Sequence, residues 1–367
     1  MKKIRLILPR GSVVKKYELK LIIMIALSWT MIDLGLFYLR MASNVLPVKY
    51  YEPGTNTFKA ILLREVNVLI LSLIIGFMLV SVFRKFLRDS PLLINLLVKT
   101  ALLVMVAIVM NFFIYGSYLV LIRGYSIERA IDRFWINTFR PEWIVPKMAE
   151  WIILILVTQL AIEINEKYSR GVFLDIMVGK YLKPKEEERI IMFVDLRNST
   201  PIAEKLGHKE YFAFIRDFIY CMTAGILEHD GRIYQYVGDE IVAWWPSSRL
   251  NARKAINALI ESRKILNTNT EVFKRKYDMM PEYKAGMHTG NVMVGQVGIS
   301  KKELVMSGDT INTASRIRSA CNDLNQKFLV SKEMNDLIGM EDWQSESMGI
   351  PDLKGKNQDM ELFALKI

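Results

Sequence analysis

Four apolar runs in the first half of this chain restrict its fold more than any other feature. Leu21–Leu39, Val66–Phe83, Ala101–Ile122 and Trp143–Ile162 carry few charges or none. Runs of about 18–25 such residues, rising ~1.5 Å each, match the ~30 Å hydrocarbon core of a bilayer. Asp33 interrupts the first run, Asn67 is the one strongly polar residue of the second, and no charge breaks the third. The fourth is the weakest, because Lys147 and Glu150 fall in its first half. No small-residue cleavage pattern follows the first run, so it reads as a retained span. Four spans put both ends of the chain on one side.

Charge tells which side. The 367-residue chain has a formal net charge of +11, a balance that in a soluble protein points to nucleic acid. Its distribution excludes that partner. Residues 1–170 hold 22 Lys and Arg against 11 Asp and Glu, whereas residues 171–367 hold 27 of each. The excess therefore flanks the apolar runs, where it favours a lipid bilayer with anionic headgroups. By the positive-inside rule, the basic arm 1–20, Arg84, Lys85 and Arg88 after the second run, and Lys167, Arg170 and Lys180 after the fourth are cytoplasmic. The expected location is thus the cell membrane, multi-pass. Arg123, Arg129, Arg133 and Arg140 in the third connection run against that assignment. Cys221 and Cys321 read as ordinary thiols of a reducing compartment.

Asp33, Lys99, Asn111 and Glu150 lie at or near membrane depth. Such groups either serve function or hold helices together and snorkel to the interface, and the second reading is the simpler. Residues 163–188 form a linker, with Val172, Phe173, Ile176, Met177 and Leu182 at helical spacing until Lys183-Pro184 breaks it. It is either a signal-carrying helix pair between two chains or a plain connector.

From residue 189 the texture alternates. Arg189–Leu196 is a strand-length apolar run containing Asp195, and His208–His229 has helical periodicity. Gly231–Trp245 reads as two strands around a turn at Asp239, and Arg249–Lys276 as a helix. Tyr283–His288 and Asn291–Val297 read as a hairpin through Thr289-Gly290. This order is that of a ferredoxin-like α+β sheet with helices on one face. The whole chain is then an α-helical membrane domain of about four spans (21–162), the linker, and an α+β domain (189–367).

Two carboxylates open the chemistry. Asp195 ends a strand and Asp239 lies in a hairpin turn, and an adjacent strand end and turn can bring them side by side. Close carboxylates repel unless a cation joins them, and oxygen ligands suit Mg²⁺ or Mn²⁺. Leu196-Arg197-Asn198-Ser199-Thr200 leads into a helix at Pro201, whose free N–H groups and Thr200 hydroxyl suit a phosphate. Asn312 and Arg316, four apart on one helix face, suit holding a ribose and stabilising charge at phosphorus.

In order and approximate spacing, five blocks resemble the class III nucleotide cyclases, the adenylate/guanylate cyclase catalytic domain. They are Phe193-x-Asp195-x-x-x-Ser199-Thr200, Val237-Gly238-Asp239, His288-Thr289-Gly290, Gly308-Asp309-Thr310-x-Asn312-x-x-Ser315-Arg316 and Leu353-Lys354-Gly355-Lys356. The resemblance covers about residues 189–366 and implies a head-to-tail homodimer with sites at its interface. It implies that Asp195, Asp239 and the Leu196 backbone carbonyl hold two Mg²⁺ or Mn²⁺ ions. From the other chain, Asn312 would orient the ribose and Arg316 would stabilise the pentacovalent α-phosphorus. Lys354, with Lys284 in place of a family arginine, would hold the outgoing phosphates, beside Ser199 and Thr200. The implied reaction is attack of the 3′-hydroxyl on the α-phosphate, with pyrophosphate leaving.

The base-reading positions depart from the family. Gln235 stands where adenylate cyclases have Lys, and Val305 where they have Asp or Thr. A Gln amide can meet adenine or, flipped, guanine, and the same patterns fit pyrimidines. ATP is expected from the family's commonest substrate, then GTP, then a pyrimidine triphosphate. The rival classes are a cyclase-like module that only dimerises, and a transporter or channel formed by the spans.

Overall fold

The apolar runs form long helices and the alternating half forms a sheet. A computed structural model describes residues 6, 12–42, 57–83, 91–138, 141–167, 172–300, 302–339, 344–351 and 359–367. These divide into two units, Lys15–Glu166 and Met1–Val14 with Lys167–Ile367.

The first unit contains α1 (Ser12–Ala42), α2 (Thr57–Phe77, continued by a π-helical turn Met78–Val82), α3 (Leu92–Leu121), α4 (Ile127–Thr138) and α5 (Pro141–Lys167). Among the described residues, Tyr17–Leu39 and Phe58–Val82 are long and apolar enough to cross a membrane, and Leu93–Val109 is a shorter apolar stretch. Helices α1 and α2 thus match the first two expected spans in length and composition, while the third and fourth fall in α3 and α5, helices of 30 and 27 residues that do not reach the same measure among the described residues. The basic flanks Arg84, Lys85, Arg88, Arg140 and Arg170 lie outside the described residues.

Polar groups in this unit join helix to helix. Arg64 of α2 lies 2.6 Å from Asp33 of α1 and 4.7 Å over the Phe37 ring. Trp29 Nε1 donates to Thr158 Oγ1 at 2.8 Å, Asn67 Nδ2 donates to Ser117 Oγ at 3.2 Å, and Lys99 is 3.9 Å from Glu163. Asp33 and Lys99 therefore behave as interhelical contacts. The third connection, read from sequence as a charged loop, holds α4, whose buried Phe134 meets Phe112 of α3 edge-on at 4.7 Å.

The second unit begins with α6 (Val172–Met177) and continues β1 (Lys185–Leu196), α7 (Ser199–Glu228), β2 (Arg232–Val237), β3 (Glu240–Pro246), α8 (Arg249–Thr268) and α9 (Thr270–Tyr277). It ends with β4 (Tyr283–Val297), β5 (Glu303–Ser307), α10 (Asp309–Asp323), β6 (Phe328–Ser331), α11 (Lys332–Ile338), β7 (Gln344–Ser347) and β8 (Leu362–Lys366). The sheet runs β2-β3-β1-β4-β6-β8-β7, with β5 also on β4. Its first four strands have the ferredoxin-like arrangement.

Strand β1 is central, and both of its faces are buried. Ile190, Met192, Val194 and Leu196 pack with Phe214, Phe218 and Met222 of α7 and Ile256 and Leu259 of α8. Ile191 and Phe193 face the other way, toward Val292, Met306 and Ala314, with Val172 and Tyr181 on the same side. This explains why the run reads as continuously apolar instead of alternating.

Four expectations change. The strand β1 starts at Lys185, so residues 185–188 belong to the sheet and not to the linker. The linker's helical spacing yields only the six residues of α6. No turn occurs at Thr289-Gly290: β4 is one 15-residue strand, because the added length of β1 pairs Glu188 with Asn291 and Lys185 with Val294. The glycine serves close approach instead, since a Cβ at Gly290 would lie 2.7 Å from Thr310 Oγ1. Finally, helices cover both faces, because Ile317, Ala320 and Cys321 of α10 pack on Leu329, Leu362 and Ala364, away from α7 and α8. Smaller breaks divide α7 at Gly207, whose φ is +71°, and separate α8 from α9 at Asn269.

Candidate active site

The end of β1 and the β2–β3 turn build the site. Asp195 shares the parity of Ile191 and Phe193, so it emerges on the face covered by α10. Directly opposite in the register is Lys284 of β4, and cross-strand partners lie on one face. Lys284 Nζ is 3.3 Å from Asp195 Oδ2 and donates to Asn322 Oδ1 of α10 at 3.0 Å. Asp239 follows Gly238, whose φ of +62° is needed for the tight turn.

Burial, and then the nearby Asp195 charge, push the Asp239 carboxyl above its ordinary pKa, against a hydrogen bond with Ser199. Burial and the charge of Asp239 similarly raise Tyr211, which also bonds Ser199. The structure thus brings Asp195, Asp239, Ser199 and Lys284 together. Thr200, one residue on, is exposed at the start of α7.

Sequence reasoning missed two groups here. Arg318 Nη1 lies 3.1 Å from Asp195 Oδ2, and its Nη2 pairs with Glu240 beside Asp239. Burial raises the Glu240 carboxyl, while Arg318 opposes the shift. The available signal was Ser315-Arg316-Ile317-Arg318. Two residues of an α-helix separate side chains by about 200°, so if one Arg faces outward the other faces the sheet.

Asn312 and Arg316 do not join this cluster. Asn312 is exposed and Arg316 partly so, and helical geometry puts them about 120° and 160° around α10 from Arg318. Gln235 lies exposed on β2 and Val305 half-buried on β5. The two strands are tied beside them, where Met306 N–H donates to Tyr234 Oη at 3.0 Å. Lys354 lies outside the described residues.

The donor chemistry fits a hard divalent cation. Asp195, Asp239 and the Leu196 carbonyl offer only oxygens, and Asp239 Oδ2 is buried without a hydrogen-bond partner. A pH effect follows. A carboxyl with a raised folded-state pKa contributes stability that is complete below its unfolded pKa and is lost as pH rises through the folded value. In EDTA at neutral pH, Asp239→Asn should therefore melt higher than wild type. The difference should vanish near pH 4, about the ordinary carboxylate pKa. Thermal melts across that range check it, and a difference that grows on acidification contradicts it.

Known proteins are similar to this chain in sequence and fold. The chain is similar to adenylate cyclase 2 of Rhizobium meliloti (strain 1021), 29% identical over 206 residues, 56% of this chain and 57% of that one. Adenylate cyclase 1 of the same strain is 25% identical over 186 residues, 48% of this chain and 27% of that one. The chain thus spans less than two thirds of the length of either relative. In fold it is similar to a bacterial light-regulated adenylyl cyclase, with a TM-score of 0.50, 18% identity, and coverage of 62% of this chain and 66% of that one. Residues 182–367 match the adenylate and guanylate cyclase catalytic domain. That segment holds every candidate site residue and more than half of the sequence, and on that match the chain belongs to the class III adenylate/guanylate cyclase family.

Proposed function

We propose that the protein is a membrane-anchored nucleotide cyclase that converts ATP to 3′,5′-cyclic AMP and pyrophosphate in sites shared between two copies of the chain. One observation carries the reading. Helix α10 turns Arg318 toward Asp195 and presents Asn312 and Arg316 on its other side. Neither set completes a site alone, whereas a symmetric pair of chains joins each set to its complement twice.

In that site Asp195, Asp239 and the Leu196 carbonyl hold the divalent cations. When bound, Mg²⁺ or Mn²⁺ would lower the pKa of the 3′-hydroxyl and neutralise the triphosphate. Asn312 of the other copy fixes the ribose by hydrogen bonds. Arg316 places a permanent positive charge where the α-phosphorus gains charge, and preorganised charge of this kind is usually the largest catalytic term. A bond forms between the 3′-oxygen and the α-phosphorus, the bond from the α-phosphorus to the bridging oxygen breaks so that pyrophosphate leaves with that oxygen, and the hydroxyl proton passes to solvent water. Ser199, Thr200, Lys284 and Lys354 receive the phosphates.

The likeness to two adenylate cyclases supports ATP. Gln235 supports GTP as the second choice, since its amide serves either purine. Residues 21–162 anchor the enzyme through about four spans, with the basic arm and catalytic domain in the cytoplasm. The two membrane-length helices in α1 and α2 and the basic flanks support this anchoring.

Incubating the purified chain with each of the four nucleoside triphosphates, in Mg²⁺ and in Mn²⁺, tests the reading. Cyclic AMP and pyrophosphate in equal amounts are expected, with ATP preferred. Preference for CTP or UTP overturns the choice of base. No cyclic product from any of them leaves a dimerising module without catalysis.

A further inference from the structure

Arg318 lies where a cation is wanted. Asp195, Asp239 and Glu240 share one corner of the domain, and their mutual repulsion is opposed there by Lys284 and Arg318. The guanidinium spans two segments, pairing Asp195 at the end of β1 and Glu240 at the start of β3. Its Nε is buried without an acceptor, so the carboxylates hold it there at the expense of its own full hydrogen bonding. Its backbone cannot withdraw freely, because α10 presses on β4: a Cβ at Gly286 would lie 2.2 Å from Arg318 N.

We propose that Arg318 is a positioning residue, an internal counter-ion that holds Asp195 until a divalent cation displaces it, Glu240 then keeping the guanidinium. The idea rests on the proposed role of Asp195 and Asp239 in holding divalent cations. Glu240 is outside that ligand set, so it remains available as the second partner. The side chain has only to release one of its two carboxylates, with α10 in place. Metal binding therefore competes with the Arg318–Asp195 pair and leaves the Arg318–Glu240 pair intact.

The two partners of this relay should shift metal affinity in opposite directions. Mn²⁺ titration of the full chain in detergent, without nucleotide, reads the effect directly. Arg318→Gln should tighten Mn²⁺ binding roughly tenfold, the scale of one nearby charge, and lower the melting temperature in EDTA. Glu240→Gln should weaken binding, because Arg318 then has only Asp195 to pair with. In the Arg318→Gln background the Glu240→Gln change should have much less effect, as expected for coupled neighbours. Arg318→Lys, which keeps the charge, should bind Mn²⁺ nearly as wild type does.

Unchanged or weaker Mn²⁺ binding by Arg318→Gln overturns the proposal. If that variant does not fold, Glu240→Gln decides alone, and unchanged or tighter binding overturns it. Asp195→Asn separates the two levels of the argument. Loss of Mn²⁺ binding in this variant is expected, and undiminished binding sinks the metal-site reading itself.

Discussion

Asp195→Ala and Arg316→Ala should each lower cyclase activity by ~100-fold or more, while an equal mixture of the two recovers about a quarter of the wild-type rate. Each substitution removes one half of every site in a homodimer. In a mixed dimer, one site receives both damaged halves and the other receives both intact ones. Random mixing makes about half of the dimers mixed, each with one of its two sites working, and this sets the expected quarter. The measurement is cyclic nucleotide release from co-incubated variants, with each variant alone as the control. Full activity of either variant would remove the assignment of these residues. No recovery on mixing would mean that the two sets act within one chain, against the orientation of α10.

Gly286→Val should cost the catalytic domain about 3 kcal/mol or more, the upper range for overpacking in a rigid core. A Cβ at Gly286 would lie 2.2 Å from Arg318 N, 2.6 Å from Arg318 Cα and 2.8 Å from Ile317 C. All three are backbone atoms, so no side-chain rotation relieves the overlap. The helix would have to lift from the sheet, uncovering Ile317, Cys321 and Leu329, which are fully buried. Domains of this kind are stable by only about 5–15 kcal/mol, so the loss is a large share. Activity should fall with stability, because lifting α10 moves Arg318 and Arg316 together. A melting temperature equal to wild type would show that α10 does not seat on Gly286.

Much of this was readable from local pattern, and the exceptions have particular causes. Asp195 and Asp239 could be placed because one ends an apolar strand and the other sits in a glycine turn, both short-range signals. Asn312 and Arg316 were visible as a helical i, i+4 pair. Arg318 was not, since its partners are distant in sequence, Asp195 by 123 residues, and only the packing of α10 on β4 brings them into reach. The single strand β4 was misread as a hairpin for a similar reason. Thr289-Gly290 has the composition of a turn, yet the register is set by the length of β1, and the glycine answers to Thr310. In the first unit, helix α4 has amphipathic spacing at Ile127, Ala130, Ile131, Phe134 and Trp135, a signal passed over because the third connection was weighed by its arginines alone. Asp33 was ambiguous until its partner Arg64 was located on α2.

The extent of β1 limits how the proposed activity can be controlled. The strand is clamped along its length, by β4 over Lys185–Leu196 and by β3 over Arg189–Val194. A slip of a single residue would turn Asp195 into the face packed by α7 and α8, and would turn buried apolar groups toward the nucleotide. Asp195 therefore has no graded travel along its own strand. In the proposed dimer, a stimulus arriving through residues 163–184 would move the sheet as a body and change how the two chains meet, without adjusting the carboxylate in place. Activity would then be set by the fraction of chains correctly paired, with every paired site working at its full rate.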